Sequence, residues 1–527
     1  MKVLVSERLS GAGLERMREH VEVDERLDLS PDELRDAIGE YDALIVRSAT
    51  QVDASVLERG GNLKVVGRAG IGLDNVDVET ATKMGILVVN APQSNILSAA
   101  EHTMALLLAQ ARNIPQAHAA LTAGSWEREK WAGVELHGKT LGIVGLGKVG
   151  TLVAQRASAF GMRLVAYDPY VSSARAAQMG VVMLEDVAEV CHRSDFLTIH
   201  LPRTAETMGI VGAKELAAAQ PGIRIVNTAR GGLIDEDALI AGLKDGRVAG
   251  AAIDVFETEP VTDHPLFGLS GVVVTPHLGA STQEAQDKAG LAIAEQVLLA
   301  LRGEFVPFAV NLDVGTDIPD SVRPYLKLAE KLGRIAVALA GPGIEGLRFE
   351  YQGQIAEHDT RALTLYGLKG AFSKVVHEPV TFVNAPVLAR ERGISVEESK
   401  SSQSLDYVNL VEVRAQCEGE AVSVGGVLVG KKDTERLVRV FGYEFDMAFA
   451  PTMAFFRYED RPGVIGIVGT LLGEAGVNVA SMEVSRQAEG GQALMGLAVD
   501  SPIPQDVLDD IKERARLEDA RLVVMTE

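Results

Sequence analysis

Cysteine is scarce in this sequence. The 527 residues contain only Cys191 and Cys417, which are far apart and belong to no CxxC or Cys/His cluster. A disulfide framework or a structural zinc site needs more thiols at closer spacing. The sequence therefore predicts a protein of a reducing compartment, which we expect to be the cytoplasm, with no metal site.

Long apolar runs are lacking as well. The opening pattern KVLV is soon followed by Glu7 and Arg8, and no later stretch is apolar throughout the length of a membrane-spanning helix. Such a helix requires about 18 consecutive apolar residues, and a signal peptide requires an apolar core behind its first charges. We expect neither of them, and no membrane partner.

Positive charge is in deficit. Lys and Arg number 51 against 73 Asp and Glu, so the formal net charge is −22. A strongly acidic protein repels phosphate backbones, which argues against nucleic acid as a partner. The apolar share of 47% and the charged share of 24% are ordinary for globular proteins. At roughly 100–200 residues per domain, this length predicts about three or four domains.

Short β-branched runs alternate with helical patterns in the first 300 or so residues, in two successive series. This alternation is typical of α/β domains with parallel sheets. Between the two series, Ser98 and Glu101 have the spacing of a capping box, and Gly124 supplies a stop. The pattern predicts one helix of about 25 residues there.

The sequence pattern changes near residues 306–324, where three prolines mark a linker. Beyond the linker, one helix at 325–340 and several strand candidates predict an α+β unit without a catalytic cluster. The final 75 or so residues have the order strand, helix, strand, strand, helix, strand. That order predicts a ferredoxin-like unit.

A glycine motif opens the second α/β series. Gly145, Gly147 and Gly150 follow the apolar strand LGIV and precede a helical pattern, and Asp168 ends the next strand. Glycines at this spacing let a pyrophosphate approach a helix N-terminus, while the carboxylate accepts ribose hydroxyls and repels the 2′-phosphate of NADP. The motif predicts a Rossmann domain that binds NAD. The alternative is a glycine-rich turn that binds nothing.

Three later strand ends carry side chains suited to chemistry on a hydroxy acid. Arg230 follows IVNTA, Glu259 follows AAIDVF and His277 follows VVVTP. Open α/β sheets bind ligands at the carboxyl ends of their strands, so we expect these groups to meet. His200 is a rival base at another strand end, and His102 is predicted to be structural.

The blocks NTARGGLIDEDAL, DVFETEP and TPHLGAST resemble the signatures of the D-isomer-specific 2-hydroxyacid dehydrogenases. The order of the whole chain resembles the long form of that family. The resemblance implies a flavodoxin-like substrate-binding domain at 1–96 plus 281–310, a Rossmann NAD-binding domain at 97–280, an α+β intervening domain at 318–450 and a ferredoxin-like ACT domain at 453–527.

The family's roles carry over by motif. The resemblance implies that His277 is the general acid/base, that Glu259 supports it, and that Arg230 clamps the substrate carboxylate. Asp254 resembles the residue that orients the nicotinamide carboxamide. The implied NAD contacts are Gly145, Gly147, Lys148, Val149, Gly150, Asp168, Leu201, Thr228, Ala229, Arg230, Asp254, His277, Leu278, Gly279 and Ala280.

The resemblance also implies a phosphorylated substrate, 3-phospho-D-glycerate, oxidised to 3-phosphonooxypyruvate in the first step of L-serine biosynthesis. Arg47 and Arg68 resemble positions that line the substrate cleft, and Arg128 is a candidate that reaches in from a neighbouring subunit. A phosphate calls for such extra cations. The alternative is that these arginines are ordinary surface residues.

ACT domains bind amino acids between paired domains. By resemblance, Tyr458, Asp460 and Asn478 form the effector site, with L-serine as the implied effector. The alternative is that this unit only pairs subunits. Two pairing units, one in each half of the chain, predict a homo-oligomer, either a dimer or a tetramer.

Three other functions stay open. A glyoxylate or hydroxypyruvate reductase would resemble only the first 310 or so residues. A formate dehydrogenase would place Gln where Glu259 stands. A non-catalytic NAD-sensing corepressor would keep Arg230, Glu259 and His277, so these motifs alone do not exclude it.

Overall fold

The structure is a computed structural model that describes residues 1–312, 314, 318–373, 380–417 and 421–525. Residues 313 and 315–317 of the predicted linker lie outside the described residues. Four sheets follow one another along the chain, two of them parallel and covered by helices, which confirms the predicted fold class. In the described part of the chain, no helix is long and apolar enough to cross a membrane.

The first sheet has five parallel strands in the order β2-β1-β3-β4-β5, the flavodoxin-like order. Its elements are Lys2–Val5 (β1), Gly11–Arg18 (α1), Glu22–Glu25 (β2), Pro31–Ala37 (α2), Ala43–Val46 (β3), Ala54–Arg59 (α3), Val65–Arg68 (β4), Val78–Lys83 (α4) and Leu87–Val89 (β5). The central strand β3 is buried on both faces, as its continuous apolar run requires.

The second sheet has seven parallel strands in the order β12-β11-β10-β9-β6-β7-β8. Its elements are Ile96–Ala111 (α5), Ile114–Thr122 (α6), Thr140–Val144 (β6), Lys148–Ala159 (α7), Arg163–Tyr167 (β7), Ser173–Gln178 (α8), Val181–Met183 (β8), Val187–Arg193 (α9), Phe196–Ile199 (β9), Ala213–Ala218 (α10), Ile223–Asn227 (β10), Glu236–Lys244 (α11), Val248–Ile253 (β11) and Val272–Val274 (β12). The strand order reverses between β6 and β9, where such sheets form their binding crevice.

The next helix, Gln283–Leu301 (α12), returns to the first sheet. Its Ile293 and Val297 are buried in one core with Val3 and Val65. The chain therefore leaves its first unit before α5 and rejoins it at α12. The exact domain boundaries stay predictions, because a shared core does not define where a unit ends.

The single long helix predicted from Ser98 to Gly124 is wrong. It is two helices, because Asn113 adopts a left-handed φ of 51° between α5 and α6, and Pro115 opens α6. Proline lacks an amide hydrogen, so Pro115 cannot continue the hydrogen bonds of α5 but is tolerated in the first turn of a new helix. Ser98 is not an N-cap either, since its hydroxyl lies 2.7 Å from that of Thr282.

The third sheet is mixed and has six strands in the order β14-β13-β15-β16-β17-β18. Its elements are Tyr325–Ala340 (α13), Ile344–Gly353 (β13), Arg361–Phe372 (α14), Ala385–Glu391 (α15), Ser395–Ser401 (β14), Asn409–Cys417 (β15), Ala421–Val429 (β16), Thr434–Val440 (β17) and Tyr443–Ala448 (β18). The sequence pattern predicted only α13 among these helices. It missed α14, whose two glycines weaken the helix signal.

The last sheet has four antiparallel strands in the order β20-β21-β19-β22, and its βαββαβ succession confirms the predicted ferredoxin-like unit. Its elements are Thr452–Glu459 (β19), Val464–Glu474 (α16), Val479–Arg486 (β20), Gln492–Val499 (β21), Gln505–Arg514 (α17) and Asp519–Val524 (β22). Phe455 and Leu494 of this sheet are buried in one core with Phe445 and Met447 of β18. The last two units therefore share a core.

Helices α13 and α14 touch through their backbones. A Cβ atom on Gly333 would lie 2.0 Å from the carbonyl oxygen of Gly367, and one on Gly370 would lie 1.9 Å from that of Glu330. Neither helix could keep this distance with a larger residue at the contact. The close approach of the two helices therefore depends on glycine at these positions.

Replacing Gly333 by alanine tests this contact. We expect Gly333→Ala to lower the free energy of unfolding by about 1–3 kcal/mol, because the new methyl group forces the two helices apart. Gly469→Ala on α16 is the control, since a Cβ there meets nothing within 4 Å. It should change the free energy of unfolding by no more than about 1 kcal/mol, in the stabilising direction. Urea unfolding followed by circular dichroism measures both, and equal stabilities would contradict the account.

Candidate active site

His277 and Glu259 form a hydrogen-bonded pair beyond the end of β12. Nδ1 of His277 lies 2.6 Å from Oε2 of Glu259, and the other oxygen of Glu259 accepts the amide of Phe256 at 2.9 Å. His277 has a left-handed φ of 54°, which is unusual for a residue with a side chain. Since Nδ1 is engaged, Nε2 is the ring atom that can exchange a proton with a substrate.

The charge of Glu259 follows from its contacts. Burial raises the pKa of Glu259, but the hydrogen bonds from His277 and from the Phe256 amide outweigh burial, so that the pKa lies below its usual value. The carboxylate is therefore ionised at neutral pH. The carboxylate fixes the orientation of the imidazole of His277 through Nδ1.

The rival base, His200, has different surroundings. Burial lowers the pKa of His200 to about 4, and its Nε2 contacts the hydroxyl of Thr198 at 3.0 Å. A neutral, enclosed imidazole is a packing and hydrogen-bonding group. The structure therefore favours His277 over His200 as the acid/base.

A cleft of about 650 Å³ lies between the first two sheets. Of the predicted site residues, Arg47, Arg68, Glu259, His277 and Ala280 line it. Sequence reasoning missed several further polar lining residues: Ser48, Ser94, Asn95, Ser281 and Gln286. These stand in loops or first helical turns with no motif of their own, so only the fold reveals them.

Arg68 is a cation that lacks full compensation. Its Nε is buried and has no hydrogen-bond partner in the part of the chain that the structure describes. Burial lowers the pKa of Arg68, and the positive charge of Arg230 lowers it further. Cations held in this way favour the entry of an anion, which fits a substrate with negative groups.

Arg230 lies outside the lining of the cleft and points to the first unit instead. Its Nε lies 3.5 Å from a carboxylate oxygen of Asp74. A Cβ atom on Gly72 would lie 2.3 Å from one of its terminal nitrogens, so glycine makes room for the guanidinium. Asp74 was not predicted from the sequence, and it holds the cation expected to bind a substrate carboxylate.

The loop that carries Arg47 is fixed from both sides. Glu7 accepts the amides of Arg47 at 2.8 Å, Ala49 at 3.2 Å and Thr50 at 2.9 Å. The side chain of Asn75 donates to the carbonyl oxygens of Arg47 and Thr50 at 2.9 and 2.6 Å. These bonds hold a loop without regular structure in one shape.

The glycine motif forms an open cradle. Gly145 has a φ of 96°, and a Cβ there would lie 2.5 Å from the carbonyl oxygen of His200. A Cβ on Gly150 would lie 2.1 Å from the carbonyl oxygen of Gly145, whereas one on Gly147 would meet nothing within 4 Å. Helix α7 starts beside this space without a side-chain cap, so its amides suit a pyrophosphate.

Asp168 stands beside the same loop. Its carboxylate accepts the amide of Leu146 at 2.8 Å and that of Tyr170 at 2.9 Å. The carboxylate thereby shapes the glycine loop in addition to its predicted part in cofactor choice. The residues present fit a dinucleotide with a free ribose 2′-hydroxyl.

The other predicted NAD contacts follow the carboxyl ends of β9, β10, β11 and β12, at one edge of the sheet: Leu201, Thr228, Ala229, Asp254, Leu278, Gly279 and Ala280. Asp254 differs from the expectation, because its side chain is fully buried. Its carboxylate accepts the amides of Leu278 and Gly279 at 2.7 and 2.9 Å. The side chain of Asp254 therefore supports the turn at His277 and does not face the cleft.

The remaining predicted residues lie apart from the cleft. Arg128 is exposed in the loop after α6 and does not line the cleft of its own chain. In the last unit, Tyr458 is buried, which raises its pKa. Asp460 is paired with Arg486 at 2.7 Å, and Asn478 donates to Asp500 at 2.6 Å. Neither of these partners was predicted from the sequence.

Comparison with known proteins identifies the units of this chain. The family model described as the D-isomer specific 2-hydroxyacid dehydrogenase, NAD binding domain matches residues 104–279. The D-3-phosphoglycerate dehydrogenase intervening domain matches 321–441 and the ACT domain matches 452–516. The D-3-phosphoglycerate dehydrogenase of Mycobacterium tuberculosis is 49% identical over 506 residues, or 96% of each chain. The chain belongs to the D-3-phosphoglycerate dehydrogenase family.

A less similar relative also matches over almost the full length of both chains. The D-3-phosphoglycerate dehydrogenase of Methanocaldococcus jannaschii is 42% identical and covers 99% of each chain. Among solved structures, a protein of Thermus thermophilus matches 59% of this chain and 100% of its own, with a TM-score of 0.55 and 35% identity. The chain thus has the NAD-binding domain of an oxidoreductase family, followed by the two C-terminal units of its long form.

The hydrogen bonds that Glu7 accepts from the Arg47 loop lead to a prediction about how stability depends on pH. Burial raises the pKa of Glu7, but three loop amides outweigh burial and lower it overall. The stabilisation from the ionised form is therefore complete above the unfolded-state pKa of about 4.3 and is lost as the pH falls through the lower folded-state value. Glu7→Gln should be less stable than the natural protein by about 1 kcal/mol at pH 7, and the gap should close between about pH 4 and pH 2. Urea unfolding across this pH range measures the gap, and a gap that stays constant would refute the role of the charge.

Proposed function

We propose that this protein oxidises 3-phospho-D-glycerate to 3-phosphonooxypyruvate with NAD, the first step of L-serine biosynthesis, in the cytoplasm. The observation that carries the proposal is that one cleft is lined by the His277–Glu259 pair and by Arg47 and Arg68. An acid/base beside two cations suits a hydroxy acid that bears a phosphate.

The chain's residues divide the reaction between them. The hydroxyl proton of the substrate passes to Nε2 of His277, and the ionised Glu259 stabilises the imidazolium that forms. Arg230 binds the substrate carboxylate bidentately, in exchange for its contact with Asp74. NAD, when bound at the glycine cradle, supplies the acceptor for the hydride that leaves the carbon bearing the hydroxyl group. The ketone product therefore forms with one proton on the enzyme.

The length of the match supports this substrate over the alternatives. The solved glyoxylate reductase of Paecilomyes thermophila matches 59% of this chain and 98% of its own, so it has no counterpart of the C-terminal units. The relatives named D-3-phosphoglycerate dehydrogenase match 96% to 99% of this chain. Glu259 in contact with His277 argues against a formate dehydrogenase. The ACT domain matched at residues 452–516 argues against a non-catalytic NAD-sensing corepressor.

The test of the substrate is an absorbance assay for NADH. We expect activity with 3-phosphoglycerate and NAD, and little with NADP, because Asp168 repels a 2′-phosphate. Arg47→Ala should lower kcat/KM for 3-phosphoglycerate by at least about tenfold, the loss expected for one charged hydrogen bond. Arg163→Ala, an exposed arginine at the far end of β7, is the control. A twofold change or less for Arg47→Ala would remove Arg47 from the phosphate site.

We also propose L-serine as an effector of the ACT unit. Asp460 follows β19, and the uncapped N-terminus of α16 lies just beyond it in the chain. A carboxylate suits an ammonium group, and free helix amides suit a carboxylate. Because Asp460 is paired with Arg486, a bound ammonium has to replace this arginine.

Calorimetric titration tests the effector. We expect L-serine to bind at millimolar concentration or below, and Asp460→Asn to weaken the binding by at least about tenfold, since it loses the charge that meets the ammonium. Asp506→Asn on α17 is a control that leaves the proposed site intact. No heat of binding in the natural protein at millimolar serine would defeat the proposal.

The proposal includes a homo-oligomer, either a dimer or a tetramer. Helix α6 buries none of its side chains within the chain. Ile114 is 54% exposed, Leu121 55% and the nearby Trp126 78%. Apolar groups clustered in this way favour contact with a second copy, and the loop with Arg128 would then lie at a neighbour. Sedimentation velocity of the natural protein measures the state.

A further inference from the structure

Behind the catalytic pair lies a buried carboxylate with an unusual number of donors. Asp254 is 0% exposed. Besides the amides of Leu278 and Gly279, it accepts the hydroxyl of Thr275 at 2.6 Å. An ion removed from water must be matched by donors, or its burial is very unfavourable. The turn around His277 supplies three of these donors.

The fourth donor comes from another element. Nε2 of His102, on α5, lies 3.1 Å from Oδ1 of Asp254 and 3.3 Å from the hydroxyl of Thr275. Because the Thr275 hydroxyl donates to the carboxylate, the imidazole is the donor in both contacts. Burial raises the pKa of Asp254, but the bonds from His102, Thr275 and Leu278 outweigh burial and lower it overall. Asp254 is thus ionised, with an imidazole beside it.

The same residue, Asp254, also fixes the backbone conformation of His277. The amide of His277 donates to the carbonyl oxygen of Asp254 at 2.8 Å, and the next two amides bind its side chain. A left-handed residue with a side chain persists only where its surroundings fix it. If fewer donors compensated the charge of Asp254, this turn would loosen. The imidazole of His277 would then lose its orientation toward Glu259.

Helix α5 is well placed for this task. One turn before His102, Ser98 contacts Thr282 at 2.7 Å, and Thr103 contacts Thr228 at 2.6 Å. With the contact of His102 and Asp254, this helix therefore touches the loops that follow β10, β11 and β12, the last of which leads into α12. Because the helix is rigid, these contacts fix the positions of the loops relative to one another.

We propose that His102 is a positioning residue for the acid/base. It compensates the charge of Asp254 and so holds the turn of residues 275–279 in the shape that presents His277. The inference rests on the proposed function, which it extends from the cleft to the helix behind it. It also revises the expectation that His102 is merely structural.

The experiment compares His102→Leu with His102→Gln, which keeps an N–H donor. With 3-phosphoglycerate and NAD, His102→Leu should lower kcat by about 10- to 100-fold and leave the KM for 3-phosphoglycerate within about twofold, because Arg47, Arg68 and Arg230 stand on other loops. His102→Gln should recover kcat to within about threefold of the natural protein. His20→Leu, an exposed histidine just beyond α1, should change neither constant.

A second readout does not depend on turnover. The affinity for NADH, followed by the fluorescence of the nucleotide, should fall by about fivefold or more in His102→Leu and recover in His102→Gln, since residues 278–280 are proposed cofactor contacts. If His102→Leu does not fold, Thr275→Val replaces it, because it removes the other side-chain donor to Asp254.

The outcomes separate the two proposals. No NADH formation by the natural protein would overturn the proposed substrate, and the NADH affinities would still decide the role of His102. Unchanged kcat and NADH affinity in His102→Leu would overturn the positioning role. So would equal losses in the Leu and Gln variants, or a KM for 3-phosphoglycerate that rises as much as kcat falls.

Discussion

Backbone amides in irregular loops need acceptors as strictly as those in helices do, and in this protein carboxylates supply them at three loops around the proposed site. Glu7 binds the Arg47 loop, Asp168 binds the glycine loop, and Asp254 binds the turn after His277. Hydrogen bonds to an ionised acceptor are short and strong. The loops therefore hold their shapes before any ligand arrives, and little binding energy has to be used to order them.

The same principle explains how an acidic protein receives anions. The net charge of −22 opposes them at long range, but Arg47 and Arg68 line the cleft, and burial, with the nearby positive charge of Arg230, lowers the pKa of Arg68. Asp74, 3.5 Å from Arg230, offsets part of the repulsion between these cations. In the proposed mechanism, the substrate carboxylate replaces Asp74 at Arg230, so a guanidinium that is already paired exchanges one carboxylate for another.

The sequence predicted the parts of this molecule that depend on local pattern. Glycine spacing, strand ends and the βαββαβ order all lead to the right fold, because each is fixed within a short stretch of chain. The break at Asn113 and the contact of α13 with α14 depend on residues whose propensities mislead. His102 shows the clearest limit, since its partner Asp254 is far away along the chain and only the packing of α5 brings the two together.

The shared core of the last two units has a consequence for how the last unit can be studied. Phe445 and Met447 belong to the intervening sheet, yet Phe455 and Leu494 of the terminal sheet cover them. Cutting the chain before β19 would expose this apolar surface and leave a fragment prone to aggregate. The proposed effector site is therefore better tested by single substitutions at Asp460 than by truncation.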